Sequence, residues 1–447
     1  MAERWNNRAL FSLLWPLVIE QILAVTMGAA DTIMMGSVGE FAVSAVNIID
    51  NINNLLIIAF TAMCTGGAVV VSQYIGRHDH VNSSNASRQL LLIVILISLV
   101  ITAIAVIFRR PIIALIYGKL EQDVMDAAAL YFFYTGLSYP FLAVYNANAA
   151  LFRAIGNSRI TMRIAVLINV MNIAGNAVLI YGFHLGVLGA AVSTLFCRMV
   201  SALITTLLLM RKNAGPISLS GLHRTCFSQQ MTRSILNVGL PSGIESSMFM
   251  LGRLMTQRII PVFGTAALAA NAITSVVNSF SFMPGTAFGI ALLTIVGQCV
   301  GAKDYEEARK QTKKLMKLAY ITLFVISALI YIFMDSLVGL FNLSPEAHEL
   351  AKTFLRVHCI SMAIGWPVSF ALPNALRAAG DARFVMLAAI VSMWTVRVSA
   401  SYLFAFTLGM GPLGVWLAMG TDFIVRGVSY SLRWFSGKWK DKKVIDD

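Results

Sequence analysis

Twelve apolar runs alternate with short polar segments along the chain, at roughly 10–35, 46–72, 89–108, 127–152, 160–181 and 187–209. The second set falls at roughly 235–260, 268–297, 318–340, 350–376, 384–407 and 412–434. Each can cross about 30 Å of hydrocarbon as a helix. The pattern therefore predicts an all-α integral membrane protein with twelve transmembrane helices. The first run is too long for the apolar core of a cleavable signal, so it is expected to stay as the first span.

The two sets are copies of one unit. A shift of 225 residues puts Pro16 on Pro241, Glu20 on Glu245, Gly39 on Gly264, Gln73 on Gln298, Gly76 on Gly301 and Asp79 on Asp304. Further along, the register slips by one residue, so that Arg153-Ala-Ile-Gly156 meets Arg377-Ala-Ala-Gly380. It returns to 225 where Gly186-Val-Leu-Gly189 meets Gly411-Pro-Leu-Gly414. A repeat of this size matches half of a transporter and is far too long for a solenoid. The expected organisation is an N-lobe over 1–212, a polar cytoplasmic linker over 213–232 holding Gly215, Pro216 and Gly221, and a C-lobe over 233–447. Six spans per copy is an even number, so both copies run the same way. A pseudo-two-fold axis along the membrane normal then relates them.

Composition agrees with a bilayer as solvent. Hydrophobic residues make up 58% and charged residues 12%, with a mean hydropathy of +0.76, against about 25% charged residues in soluble domains. The net charge of +13 would suggest a nucleic-acid partner in a soluble protein, but here topology places it. Arg4, Arg8, Arg77, Arg88, Arg153, Arg159, Arg163, Arg211, Lys212, Arg224 and Arg233 gather on one side with the basic segment 303–317, Arg377, Arg383 and the tail from Arg433 to Lys443. The opposite loops are assigned only Arg109, Arg110 and Lys119. Both termini are thus expected in the cytoplasm, in a multi-pass plasma-membrane protein. The basic tail reads as an anchor to anionic lipid. Cys64, Cys197, Cys226, Cys299 and Cys359 show neither disulfide nor metal spacing.

Pro16, Ala30-Asp31-Thr32-Ile33-Met34-Met35-Gly36 and Val71-Ser72-Gln73-Tyr74-Ile75-Gly76 resemble the N-terminal half of the multidrug and toxin extrusion (MATE) transporters. Leu240-Pro241-Ser-Gly-Ile-Glu245, Ala269-Ala270-Asn271, Val296-Gly297-Gln298 and Gly411-Pro412-Leu413-Gly414-Val415-Trp416 resemble the C-terminal half. The resemblance covers nearly the whole chain. It implies two six-helix lobes around a V-shaped cavity and cation-coupled export of organic compounds.

An intramembrane carboxylate costs at least a few kcal/mol and normally faces a cavity, a partner or a proton path. Asp31 lies about 6–8 Å from the outer end of the first helix. Asn172 and Asn176 are four apart on one face of the fifth, and Thr194 sits at a comparable depth on the sixth. These four oxygen-bearing side chains are the candidate coupling layer, suited to a proton held in a hydrogen-bonded cage or, if sodium is the ion, to a hard cation. An alternative has Asp31 capping or stapling helices and the asparagines serving as interhelical glue. In the family, the matching layer has aspartate, asparagine, aspartate and threonine; here the second aspartate is Asn176. Asp31 is then expected to be the only carboxylate of the layer, which favours proton over sodium coupling.

Glu20 and Glu245 are repeat mates near mid-membrane, where transporters commonly bind substrate. Lining a cavity, they would favour cationic amphiphiles. As braces, they would hold the proline-bearing helices against neighbours such as Arg253 or Arg397. Asp422 and Arg426, four apart, are expected to neutralise one another. There is no G-x-x-x-x-G-K-[ST] motif for an ATP-driven pump and no nucleophile–base or metal cluster for an enzyme. The expectation is a monomeric secondary antiporter without cofactor, moving small organic molecules against protons or sodium and binding no nucleic acid. A lipid-linked precursor flippase is the alternative; it would need a strongly cationic central cavity, whereas the internal arginines here are expected to pair with carboxylates.

Overall fold

The computed structural model describes residues 5–211, 215–220 and 227–445. Arg4, Lys212, Arg224, Cys226 and much of the expected linker lie outside the described residues.

Twelve long helical elements follow in the described residues. In the first half they are α1 (Asn7–Gly36), α2 (Glu40–Gly76), α3 (His80–Ile107), α4 (Gln122–Leu137 and, after a 47° bend, Tyr139–Ala154), α5 (Ser158–Gly182) and α6 (Gly186–Met210). The second half repeats them as α7 (Gln229–Gln257), α8 (Thr265–Gly301), α9 (Tyr305–Ile332), α10 (Pro345–Ile364 and, after a 59° bend, Pro367–Ala378), α11 (Ala382–Thr407) and α12 (Pro412–Phe435). Eight of these are long and apolar enough to cross a membrane alone, and both bent pairs pass as single spans. The remaining two, α7 and α12, have the length but carry Glu245 and Arg253, and Asp422 and Arg426.

Repeat mates start equivalent helices by the same physics. Asp79 accepts the Asn82 amide proton at 3.0 Å to cap α3, and Asp304 accepts that of Glu307 at 3.0 Å to cap α9. Each satisfies a backbone donor that the first helical turn leaves open. The register slip has a structural counterpart too. α5 has 25 residues and ends in a single π segment, Ala177–Gly182, whereas α11 has 26 and contains two, Ser392–Val398 and Leu403–Thr407. A π turn accommodates an inserted residue without breaking the helix, which restores the repeat spacing to 225.

Contacts divide the chain at Gly243/Ile244, within α7. The first unit is Phe11–Gly243; the second is Ile244–Asp447 with the N-terminal residues up to Leu10. The reason on α7 is close packing in the first unit. A Cβ on Gly66 of α2 would lie 2.3 Å from the Ile235 carbonyl oxygen and 2.7 Å from the Gly239 nitrogen. Only glycine allows backbones that near. On the other side of the division, the Gln311 amide donates to the Trp5 carbonyl at 3.2 Å, which ties the chain start to α9. Arg258, inside the expected span 235–260, falls after the end of α7 and adds a positive charge to the sparsely charged side.

Candidate functional site

The first unit gathers the expected coupling residues at the end of α1 that leads into α2. Asn176 Nδ2 donates to Asp31 Oδ1 at 2.6 Å and lies 3.4 Å from Asn172 Oδ1, joining α1 to α5. The helical spacing of four explains why both asparagines face one way. Both are buried, at 2% and 1% exposure, and the Asn176 amide is the donor that meets Asp31 there. α6 contributes Ser193, whose Oγ donates to the Asn172 carbonyl at 3.3 Å. Thr194, expected in the layer, is half-buried one position further on, and it is Ser193 that makes the contact. The two helices approach closely there, since a Cβ on Gly175 would come within 2.5 Å of Ser193 Oγ.

Asp31 is not the only carboxylate of the layer. Asp50 on α2 lies within electrostatic reach of it, and Arg198 on α6 acts on both. Asp50 accepts from Asn53 Nδ2 at 3.3 Å with Tyr131 beside it, while Tyr139 donates to Asn53 Oδ1 at 2.8 Å. Arg198 Nη1 donates to Ser138 Oγ at 2.6 Å, at the bend of α4. The site is therefore two carboxylates and one guanidinium among amides and phenols, with a formal charge of −1. Neither Asp50 nor Arg198 was a candidate from the sequence: α2 offered none, and on α6 only Thr194 was singled out. The available signal was that both are ionisable residues inside apolar runs.

Glu20 and Glu245 sit elsewhere, each in a buried ion pair. Arg153 Nη2 binds Glu20, whose other oxygen accepts from Thr161 at 3.0 Å. Arg377 Nη2 reaches both oxygens of Glu245 at 2.7 and 2.8 Å. The pairs are repeat mates, one per unit. Arg153 and Arg377 had been expected as cytoplasmic loop charges. They instead occupy the last turns of their helices and turn inward, because a buried carboxylate stands opposite each. The partners are thus not Arg253 or Arg397, and neither glutamate presents an uncompensated charge. Asp422 and Arg426 do pair, at 2.9 Å, with Ser392 Oγ donating to Asp422 at 2.6 Å. The expectation that internal arginines all pair with carboxylates fails at Arg253, which joins no ion pair among the described residues and lines a cavity with Arg397.

Among the described residues no three of His, Cys, Asp or Glu converge as a metal site. With the architecture in view, comparison with known proteins decides the family. The MatE family model matches residues 16–178 and again 240–403, once in each repeat. The chain belongs to the MatE family of membrane transporters. It is 30% identical to the uncharacterized transporter YisQ of Bacillus subtilis, covering 97% of this chain and 95% of that one. It is 26% identical to the probable multidrug resistance protein NorM of Thermotoga maritima, covering 98% and 94%. A crystal structure of MATE in the bent conformation superposes with a TM-score of 0.90 at 19% identity, covering 97% of this chain and 96% of that one. An outward-facing multidrug resistance MATE transporter gives the same TM-score and coverage. The resemblance read from the motifs is confirmed, and with it a twelve-helix, two-lobe multi-pass membrane fold whose members are transporters and not enzymes.

Proposed function

We propose that this MatE transporter is a secondary antiporter that exports organic compounds by alternating access, driven by proton entry at the Asp31 layer. The observation that carries this reading is the pairing of Asp31 with Asn176, with Asp50 and Arg198 beside it. Two carboxylates sharing one guanidinium leave a single negative charge for an exchangeable proton to neutralise. A hard monovalent cation would compete at that layer with Arg198, which repels it, so the proton is favoured over sodium as coupling ion. Relatives named as multidrug resistance proteins support organic compounds as cargo. In this reading the protein works as a monomer in the plasma membrane, both termini cytoplasmic, without a bound cofactor.

The decisive substitution is Asp31→Asn. It keeps the shape and one acceptor oxygen but cannot ionise, so gradient-driven export should cease while insertion and substrate binding persist. Export at the wild-type rate in that variant would refute the assignment.

A further inference from the structure

The second unit holds a cavity of about 40 Å³ at the place where the first unit holds its acidic layer. The correspondence follows from the repeat. A shift of 225 carries Asp31 to Thr256, Asp50 to Ser275 and Asn53 to Asn278, and all three second-unit residues line the cavity. The same register puts Arg397 at the place of Asn172, in the π segment that holds the inserted residue. The carboxylates of the first unit have thus become hydroxyls, and an asparagine has become an arginine. The polarity of the position is reversed.

The cavity wall is made for an acceptor. Arg253 and Arg397 both line it and act on one another electrostatically, and no carboxylate is among the described lining residues. Arg397 is 8% exposed, and its Nε is buried without a hydrogen-bond partner. Its nearest carboxylate is Asp422 at 4.0 Å, already engaged by Arg426 at 2.9 Å and by Ser392. Trp416, another lining residue, is 6% exposed and its Nε1 is likewise buried without a partner. Guanidinium and indole N–H groups can only donate. Buried donors left open are costly, so a set of them on residues that line a cavity marks a place for a ligand that accepts several hydrogen bonds and carries negative charge. Room for on the order of one to three water molecules limits that ligand to a single small group.

We propose that the second unit binds a monoanionic group, either the carboxylate of an organic acid or a halide ion, between Arg253, Arg397 and Trp416. The site is distinct from the proton layer and does not depend on it. A carboxylate would make the lobe a subsite for acidic cargo; a halide would make it a fixed counter-ion for the buried arginines.

Purified full-length protein in detergent separates the two sources and needs no gradient. Equilibrium binding of radiolabelled chloride and radiolabelled benzoate is measured by scintillation proximity, each competed with the other unlabelled. Arg253→Gln removes a charge that no ion pair holds among the described residues. Trp416→Phe removes only the N–H and keeps a ring to stack on Phe354, whose centroid is 5.8 Å away. Each should weaken binding about tenfold or more, as expected for losing one charge-assisted or buried hydrogen bond, in protein that still elutes as a single species. Asp31→Asn should bind as tightly as wild type even where it has lost transport. Saturable binding of benzoate alone identifies a carboxylate, of chloride alone a halide, and mutual competition a site open to both; each supports the proposal. Absence of saturable binding of either anion to wild type, or binding that survives both substitutions, overturns it.

Discussion

Removing the charge of Glu245 isolates what the buried ion pairs do. In Glu245→Gln the side chain keeps its length and one acceptor oxygen, but Arg377 loses the carboxylate that it contacts at 2.7 and 2.8 Å. Both side chains are largely buried, at 14% and 11% exposure. Two unit charges about 4 Å apart interact by ~4 kcal/mol at an effective dielectric constant near 20. Stranding one buried partner costs about 3–5 kcal/mol, of which the retained amide oxygen recovers about 1 as a neutral hydrogen bond. A net loss of about 3 kcal/mol corresponds to a fall in Tm of roughly 6–12 °C for a unit of this size. Fluorescence-detected size exclusion after a heat step reads it directly. Removing both charges in Glu245→Met with Arg377→Met should restore most of the loss, since no stranded charge remains. As helix braces, these residues should also affect export of cationic and neutral substrates alike. An unchanged Tm in Glu245→Gln, a double variant that sums the two single losses, or a KM that rises only for cations would refute the bracing role.

Three smaller perturbations test other parts of the structure. Asp50→Asn should lower proton-driven export about tenfold or more without loss of substrate binding, since Asp50 shares Arg198 with Asp31; wild-type rates would remove Asp50 from the layer. Gly66→Ala should destabilise the first unit by about 1–3 kcal/mol, because its Cβ would meet backbone atoms of α7 that cannot rotate away; an unchanged Tm would contradict that packing. Asp79→Ala should cost about 1 kcal/mol at neutral pH. The Asn82 amide holds the Asp79 carboxyl below its ordinary value of 3.8, so this contribution is complete above that value and is lost as pH falls through the lowered one. Stability curves of wild type and variant should converge in acid, and a gap that persists there would refute the capping assignment.

The fold was legible because hydrophobic run length and repeat spacing both report on backbone and solvent, which sequence encodes locally. The bends in α4 and α10 were legible only as continuous runs, since a bent helix is as apolar as a straight one. The site was legible in part. Asp31, Asn172 and Asn176 stood out through depth and helical spacing, and the structure joins them. Asp50 and Arg198 escaped because nothing along the chain says which ionisable residue of α2 or α6 turns toward α1. Arg153 and Arg377 were misplaced for a related reason. A charge counted at the end of an apolar run looks like a loop charge until the facing helix supplies Glu20 or Glu245. Pairing across helices is a tertiary fact, and one repeat cannot reveal it even when the other repeats the same partners.

Substrate export from everted vesicles, under sodium and proton gradients imposed separately, decides whether proton entry at Asp31 drives transport. Accumulation should follow the pH gradient, collapse when that gradient is dissipated, ignore sodium, and vanish in Asp31→Asn. Accumulation that requires sodium and persists without a pH gradient would contradict it.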